Sequence, residues 1–166
     1  GLEIIEASWL FDMPQDKIDV VVHRESIIHS MIEFVDNSVI AQLGLPDMRI
    51  PIQYAITYPN RYESPVKELD LTEISNLSFY KPDYDTFKCL RACKKAIEIG
   101  KTAPAIANGA NEVANKMFRD GKIKFLEIGD LVYDALNNVE VQEIKRVEDV
   151  LNADKSARQY VLDSVK

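Results

Sequence analysis

The sequence contains little cysteine and histidine, and this scarcity excludes several kinds of site. Cys89 and Cys93 are its two cysteines, and His23 and His29 are its two histidines. The two pairs lie far apart along the chain, so no zinc-ligand pattern can be built from them. The cysteines are one helical turn apart, and we interpret them as buried thiols of a protein in a reducing compartment.

The chain also lacks dense runs of lysine or arginine, and its formal net charge is −7. Proteins that bind phosphate backbones need clustered basic residues, so we expect no nucleic-acid partner. No apolar stretch approaches the ~20 residues that cross a bilayer, so we expect no membrane span. A glycine-rich phosphate loop is absent too, and the residues by themselves indicate no dinucleotide site.

What is present is a globular composition, with 46% hydrophobic and 28% charged residues. The pattern of residues 2–11 predicts an amphipathic helix, and the β-branched run 18–22 predicts a buried strand. Residues 29–43 alternate as in a β-hairpin, with Asp36 and Asn37 at its turn. After an irregular loop, residues 51–58 are compatible with one more short helix.

The second part of the chain has a helical period. Prolines punctuate residues 59–83, which we interpret as a linker. Four amphipathic helices follow, the first capped by Asp83, the second by Thr102, and the last beginning near Asp154. We therefore predict an α+β protein. Its parts are a mixed α/β piece with a β-hairpin at 1–58, a linker at 59–83 and a small four-helix bundle at 84–166.

The residue types leave the chemistry open. Glu3 and Glu6 stand near a helix start, where a carboxylate gains from the helix dipole, although one glutamate is also a plausible ligand for a hard divalent cation. His23 and His29 are either ordinary polar residues at strand ends or two side chains that converge on a site. Around Met48, the neighbouring aspartate and arginine form either a self-contained ion pair or part of a lid.

Longer strings of the sequence carry a specific resemblance. The segment DVVVHRESIIHSMIEFVDNSVIAQLGLPDMRIPIQYA, residues 19–55, closely resembles the 1-deoxy-D-xylulose 5-phosphate reductoisomerase family. The opening GLEIIEASWLF and the later strings YPNR, PDYD, NGANEVA and GKIKFLEI are also similar to that family. The resemblance extends over essentially the whole chain.

The resemblance implies an NADPH-dependent enzyme that converts 1-deoxy-D-xylulose 5-phosphate to 2-C-methyl-D-erythritol 4-phosphate in isoprenoid biosynthesis. It implies a Mg²⁺ or Mn²⁺ ion that binds substrate oxygens, a homodimer and a cytoplasmic location. The family's cofactor domain and other metal ligands lie upstream of Gly1. We therefore expect this chain to be the C-terminal portion, with residues 1–58 as the end of a partial α/β catalytic domain, and to be inactive alone. The alternative is a non-catalytic packing or dimerisation module.

The resemblance also implies roles for particular residues. Glu3 matches a metal-ligand carboxylate that contacts substrate, and Gly1 matches a glycine that follows a substrate-binding Asn-Lys pair. The residues expected to bind or border the substrate are Glu3, Ser26, His29 and Met48. The string HRES departs from the family's more usual HPQS, because Arg24 replaces a proline that would fix the backbone φ angle.

Overall fold

The structure is a computed structural model that describes residues 1–165, and these residues divide into two compact units. The helical unit combines Gly1–Val20 with the chain from Pro82 onward, and the hairpin unit is Val21–Lys81. Contacts thus join the first twenty residues to the C-terminal helices. The division into domains at 1–58, 59–83 and 84–166 stays a prediction.

The secondary-structure elements follow one another in an order typical of an α+β chain. They are α1 (Leu2–Leu10), a 3₁₀ turn (Gln15–Lys17), β1 (Ile28–Glu33), β2 (Val39–Leu43), α2 (Arg49–Thr57), α3 (Leu71–Ile74), α4 (Lys88–Ile99), α5 (Ala103–Arg119), α6 (Glu127–Asn138) and α7 (Val147–Ser164). None of the described helices is long and apolar enough to cross a membrane.

The helical unit is built around α5, which packs on α4, α6 and α7. Its core is rich in alanine, so the helices approach closely, and larger side chains fill the remaining space. The fully buried members are Ala92, Ala96, Ala103, Ile106, Ala107, Ala110, Ala114, Val132, Ala135, Ala157 and Val161. Helix α1 packs on α4 and so belongs to this unit.

Helix starts differ in three places from the sequence prediction. Asp83 does not cap α4, whose N-cap residue is Phe87, because the Asp83 carboxylate accepts from the amides of Asp85 and Thr86 in the turn before it. Helix α7 begins at Val147, well before Asp154, because the Asp149 carboxylate accepts hydrogen bonds from the backbone of Arg146 and so caps the earlier start. Thr102 precedes α5 but its hydroxyl does not cap it. That hydroxyl instead accepts a bond of 2.9 Å from the Gln142 amide, which satisfies a polar group that is fully buried.

The predicted strand at 18–22 is wrong. Only Val22 makes a ladder contact, an isolated antiparallel bridge with Tyr80. A β-branched run forms a strand only where a neighbouring strand accepts its hydrogen bonds, and among the described residues 18–22 have no longer partner. Within the stretch 59–83, Tyr80 makes this bridge and Leu71–Ile74 form α3.

The predicted hairpin is confirmed. Strands β1 and β2 pair antiparallel, with Met31 opposite Ala41 and Ile32 opposite Ile40. Asn37 takes a positive φ of 65° at the turn, which asparagine tolerates. The register shifts between Ile28 and Ser30, so the strand has a β-bulge at its first residues.

Candidate functional site

Glu3 lies in the first turn of α1, in the helical unit, and its side chain is exposed. The turn is anchored by Ile4, which is buried, and by Gly1, where an added Cβ would lie 2.8 Å from Cys93 Sγ. Glycine is therefore required by close packing at position 1, as the sequence indicated. The Glu3 carboxylate makes no hydrogen bond or ion pair with a described residue, so it is available to a ligand.

Ser26 lies in the hairpin unit at the end of a tight turn. Its amide donates to the carbonyl of His23 at 3.3 Å, and its φ of 52° falls in the left-handed region. A serine in this region costs about 1 kcal/mol, and such strain persists only where neighbouring contacts impose it. The Ser26 hydroxyl is exposed and bonds to no described residue.

The neighbouring contacts come from His23, whose side chain is only 6% exposed. Its Nε2 accepts a hydrogen bond from the Ile27 amide at 3.1 Å, so Nε2 carries no hydrogen. Nδ1 is then the protonated nitrogen, and it donates to the Ser78 carbonyl at 2.9 Å. The ring also stacks on Phe79 with centroids 4.8 Å apart. These contacts fix the orientation of the His23 ring.

Glu25 and Arg24 add further contacts to the same segment. The Glu25 carboxylate accepts bonds from the Ser78 hydroxyl at 2.6 Å and from the Ser78 amide at 3.2 Å. The hydroxyl bond in particular holds the pKa of Glu25 below its ordinary value. The Arg24 guanidinium lies over the Tyr80 ring, 5.0 Å from its centroid. Sequence spacing could not reveal these pairs, because their members are more than fifty residues apart.

His29 is the extra residue of the bulge in β1, between the pair Ile28–Leu43 and the pair Ser30–Gln42. Bulges re-aim side chains and are frequent beside active sites. His29 Nε2 lies 3.1 Å from the Gly44 carbonyl oxygen, and since a carbonyl only accepts, Nε2 carries the hydrogen. Nδ1 of His29 is left as a free acceptor, the opposite tautomer to that of His23.

Met48 directly precedes α2 and is 70% exposed. The residues on either side are joined, because Asp47 accepts three side-chain hydrogen bonds from Arg49, at 2.6 to 3.1 Å. These bonds lower the pKa of Asp47 to about 2. The ion pair considered from the sequence is therefore present, and it fixes the backbone that presents Met48 outward.

The four predicted site residues are divided between the units. Glu3 belongs to the helical unit, whereas Ser26, His29 and Met48 belong to the hairpin unit. Within the hairpin unit, Gly44 is hydrogen-bonded to the segment around His29. Its amide donates to the Ile27 carbonyl, and its own carbonyl oxygen accepts from His29 Nε2. No hydrogen bond joins Ser26, His29 and Met48 directly, so their roles in substrate binding stay predictions.

Metal and thiol chemistry can be tested on the described residues. Among residues 1–165, no group of three histidine, cysteine or acidic side chains could hold a metal ion. Glu3 fits the role of a single ligand but does not make a metal site. Cys89 and Cys93 are at least half-buried, and burial raises the pKa of both thiols, which fits the inert role predicted for them.

Comparison with known families and relatives agrees with the resemblance. The family described as DXP reductoisomerase C-terminal domain matches residues 43–160. The 1-deoxy-D-xylulose 5-phosphate reductoisomerase of Clostridium perfringens strain SM101 is 50% identical over 163 residues, which cover 98% of this chain. The chain spans 42% of the length of that relative.

Solved structures give the same result for the fold. The 1-deoxy-D-xylulose 5-phosphate reductoisomerase from Zymomonas mobilis in complex with NADPH matches with a TM-score of 0.91 and 39% identity, over 99% of this chain and 43% of that one. A DOX-P reductoisomerase in complex with NADPH, fosmidomycin and magnesium matches with a TM-score of 0.92 and 37% identity, over 98% and 42%. With a family match over most of its length, the chain belongs to the DXP reductoisomerase family, in the part of it that forms the C-terminal domain.

Proposed function

We propose that this chain is the C-terminal portion of an enzyme that converts 1-deoxy-D-xylulose 5-phosphate to 2-C-methyl-D-erythritol 4-phosphate with NADPH and a divalent metal ion. The observation that carries the proposal is 50% identity to a reductoisomerase over 98% of the chain. Because the chain spans 42% of that relative, the NADPH site and most of the substrate site belong to the upstream portion. The chain alone is inactive.

Glu3 is the residue of this chain that would hold Mg²⁺ or Mn²⁺. Its carboxylate is exposed and free, while its backbone is fixed by the buried Ile4. Magnesium needs several oxygen ligands in octahedral geometry, so upstream carboxylates and substrate oxygens complete the shell. When bound, the ion acts as a Lewis acid toward substrate oxygens and fixes their orientation.

Ser26, His29 and Met48 form the contribution of the hairpin unit to substrate binding. Ser26 offers an unbonded hydroxyl, and His29 offers a free Nδ1 acceptor for a substrate hydroxyl. Met48 offers an exposed apolar side chain that covers the bound sugar phosphate and excludes water. Together they bind and orient the substrate.

The partners are the upstream portion of the same enzyme and a second copy, in a cytoplasmic homodimer. The hairpin supports this, because it exposes apolar side chains on both faces. They are Met31 (43%), Ile32 (62%), Val39 (53%) and Ile40 (63%). Clustered apolar surface of this kind marks a protein interface. The same observation favours a second candidate, a non-catalytic packing or dimerisation module.

Substitution of Glu3 in the whole enzyme tests the proposal. Glu3→Gln removes the ligand charge and keeps the shape, so turnover followed by NADPH absorbance should fall about a hundredfold or more. NADPH affinity, measured by fluorescence, should be unchanged. Glu6→Gln is the matched control, because Glu6 is exposed on the same helix one turn later, and its turnover should match the unsubstituted enzyme.

Two results would overturn the proposal. An unchanged rate in Glu3→Gln removes Glu3 from the metal site. Clear oxidation of NADPH by this chain alone, with substrate and Mn²⁺, contradicts its being a portion that needs the upstream part. If the isolated chain instead associates with itself and the whole enzyme lacks activity, the packing module is the better description.

A further inference from the structure

The contacts around His23 tie together two segments that are distant in the chain. Val22 and Tyr80 exchange both backbone hydrogen bonds, at 2.8 and 2.9 Å. Next to this bridge, Ser78 is bonded through its carbonyl to His23 and through its amide and hydroxyl to Glu25. We refer to His23, Arg24, Glu25, Ser78 and Tyr80 as the turn clasp.

The turn clasp acts directly on the geometry of Ser26. Within the same turn, the His23 carbonyl accepts from the Ser26 amide and its ring accepts from the next amide, that of Ile27. The amides of Ser26 and of the following residue are therefore both hydrogen-bonded to His23, and these bonds restrain the left-handed φ of Ser26. The bond to the Ile27 amide depends on the orientation of the His23 ring, which the Ser78 carbonyl at Nδ1 and the stacked Phe79 ring fix together.

Arg24 and Glu25 occupy the two central positions of the turn between His23 and Ser26. Proline is favoured at the first of these positions because its ring presets φ, whereas arginine leaves φ free. In this chain, the Arg24 guanidinium on the Tyr80 ring and the Glu25 carboxylate on Ser78 supply restraint from outside the turn.

We propose that the turn clasp is a positioning device that holds Ser26 in its substrate-binding conformation, and that Arg24 and Glu25 restrain the turn through their contacts with Tyr80 and Ser78. The inference rests on the proposed function, because it assigns the purpose of the clasp to the substrate contact of Ser26. His23, Glu25 and Ser78 are positioning residues and touch no substrate themselves.

Removal of the Glu25 acceptor in the whole enzyme tests the clasp. Glu25→Ala should raise KM for 1-deoxy-D-xylulose 5-phosphate about tenfold, the effect of one lost charged hydrogen bond, and leave kcat within about twofold. Glu25→Gln keeps an oxygen that accepts from the Ser78 hydroxyl, so it should restore most of the affinity. Glu68→Ala, at an exposed glutamate with no described partner in the same unit, is the control and should leave KM unchanged.

A second variant separates positioning from stability. Arg24→Pro combined with Glu25→Gln presets φ at the first central position of the turn and keeps an oxygen acceptor at position 25. The Arg24 amide donates to no described residue, so proline breaks no hydrogen bond. This double variant should keep KM near that of the unsubstituted enzyme. A purely structural role predicts a lower Tm with an unchanged KM in Glu25→Ala, and that result would overturn the inference, as would a KM raised equally by the double variant.

The test also separates this inference from the proposed function. Ser26→Ala should raise KM if the hydroxyl binds substrate. If Ser26→Ala leaves KM unchanged, the substrate role of Ser26 fails and the clasp loses its purpose. If Ser26→Ala raises KM and Glu25→Ala does not, only the clasp is rejected. Should Glu25→Ala not fold, Ser78→Ala removes the same hydroxyl bond from the other side and should also raise KM, and an unchanged KM in that variant would reject the clasp.

Discussion

The two units of the chain bury their apolar side chains to different extents. In the helical unit, apolar residues from α4 to α7 are fully buried against one another. In the hairpin unit, Ile27 is the one buried apolar side chain among the described residues, while Phe34 and Ile40 are exposed. Burial is the main favourable term in folding, so the helical unit has its own source of stability and the hairpin unit depends on hydrogen bonds.

This difference assigns the two units different tasks. Hydrogen-bonded turns and bulges fix the backbone at particular residues, as at Ser26 and His29, and leave side chains exposed for binding. Close-packed helices leave few side chains free, and the helical unit exposes its one candidate ligand, Glu3, at a helix start. The helical unit therefore holds most of the buried core, and the less buried hairpin unit carries most of the predicted substrate contacts.

Truncation of one isoleucine in each unit should sharpen the comparison most. Ile106→Ala empties a site that is 0% exposed and should lower the free energy of unfolding by about 2–5 kcal/mol. Ile32→Ala acts on a side chain that is 62% exposed and should cost about 0.5 kcal/mol or less. Urea unfolding of the 166-residue chain, followed by circular dichroism, measures both.

The same pair then tests what covers the hairpin. In the whole enzyme, the cost of Ile32→Ala should rise, because the proposed upstream portion or second copy buries this side chain. If Ile106→Ala and Ile32→Ala lowered the free energy of unfolding of the isolated chain equally, the two units would not differ in burial as described.

Gly109 provides a second way to break the helical unit, with an effect of intermediate size. An added Cβ would lie 2.7 Å from the Asp154 carbonyl oxygen, and Asp154 is itself held by Arg158 at 2.6 Å. Alanine normally improves a helix by up to ~1 kcal/mol, but overpacking costs about 1–3 kcal/mol. We expect Gly109→Ala to lower Tm by about 2–6 °C.

Gly44→Ala is the matched control for this substitution. An added Cβ there meets its nearest atom, Gln42 Nε2, at 3.4 Å, which is an ordinary contact. Its Tm should stay within about 1 °C of the unsubstituted chain, since no overpacking arises. A stabilised Gly109→Ala would mean that α5 and α7 separate easily, against the close packing described above.

The sequence predicted best those elements that depend on local signals. The hairpin followed from alternation and an Asp-Asn turn, and α1, α4 and α6 followed from apolar spacing. The prediction placed the start of α7 too late. Asp149 caps the helix by accepting bonds from the backbone before it, and apolar spacing does not indicate such a cap. The prediction of a strand at 18–22 was wrong because a strand needs a neighbouring strand, and the residues of one segment do not indicate whether it has one.

The candidate site shows the same limit. Glu3, Ser26, His29 and Met48 came from a resemblance of long strings, and residue types alone left their roles open. The tautomer of His29 depends on its bulge, and the turn clasp depends on Ser78, which lies 53 residues from Glu25. Such contacts are set by tertiary structure, so a single sequence gives no signal for them.

The smallest expected effect concerns the loop before α2. Arg49 lowers the pKa of Asp47 to about 2 from an ordinary 3.8, so this pair adds stability above the ordinary value and loses it as the pH falls toward 2. Arg49→Gln should return the pKa of Asp47 toward 3.8, as measured by NMR titration of its carboxyl carbon. Asp36, whose pKa is lowered chiefly by the Ser38 hydroxyl, should titrate unchanged and serves as the control. A low pKa for Asp47 that survives Arg49→Gln would mean that the loop is ordered by its backbone alone, and the hairpin unit would then depend less on side-chain hydrogen bonds than its contrast with the helical unit implies.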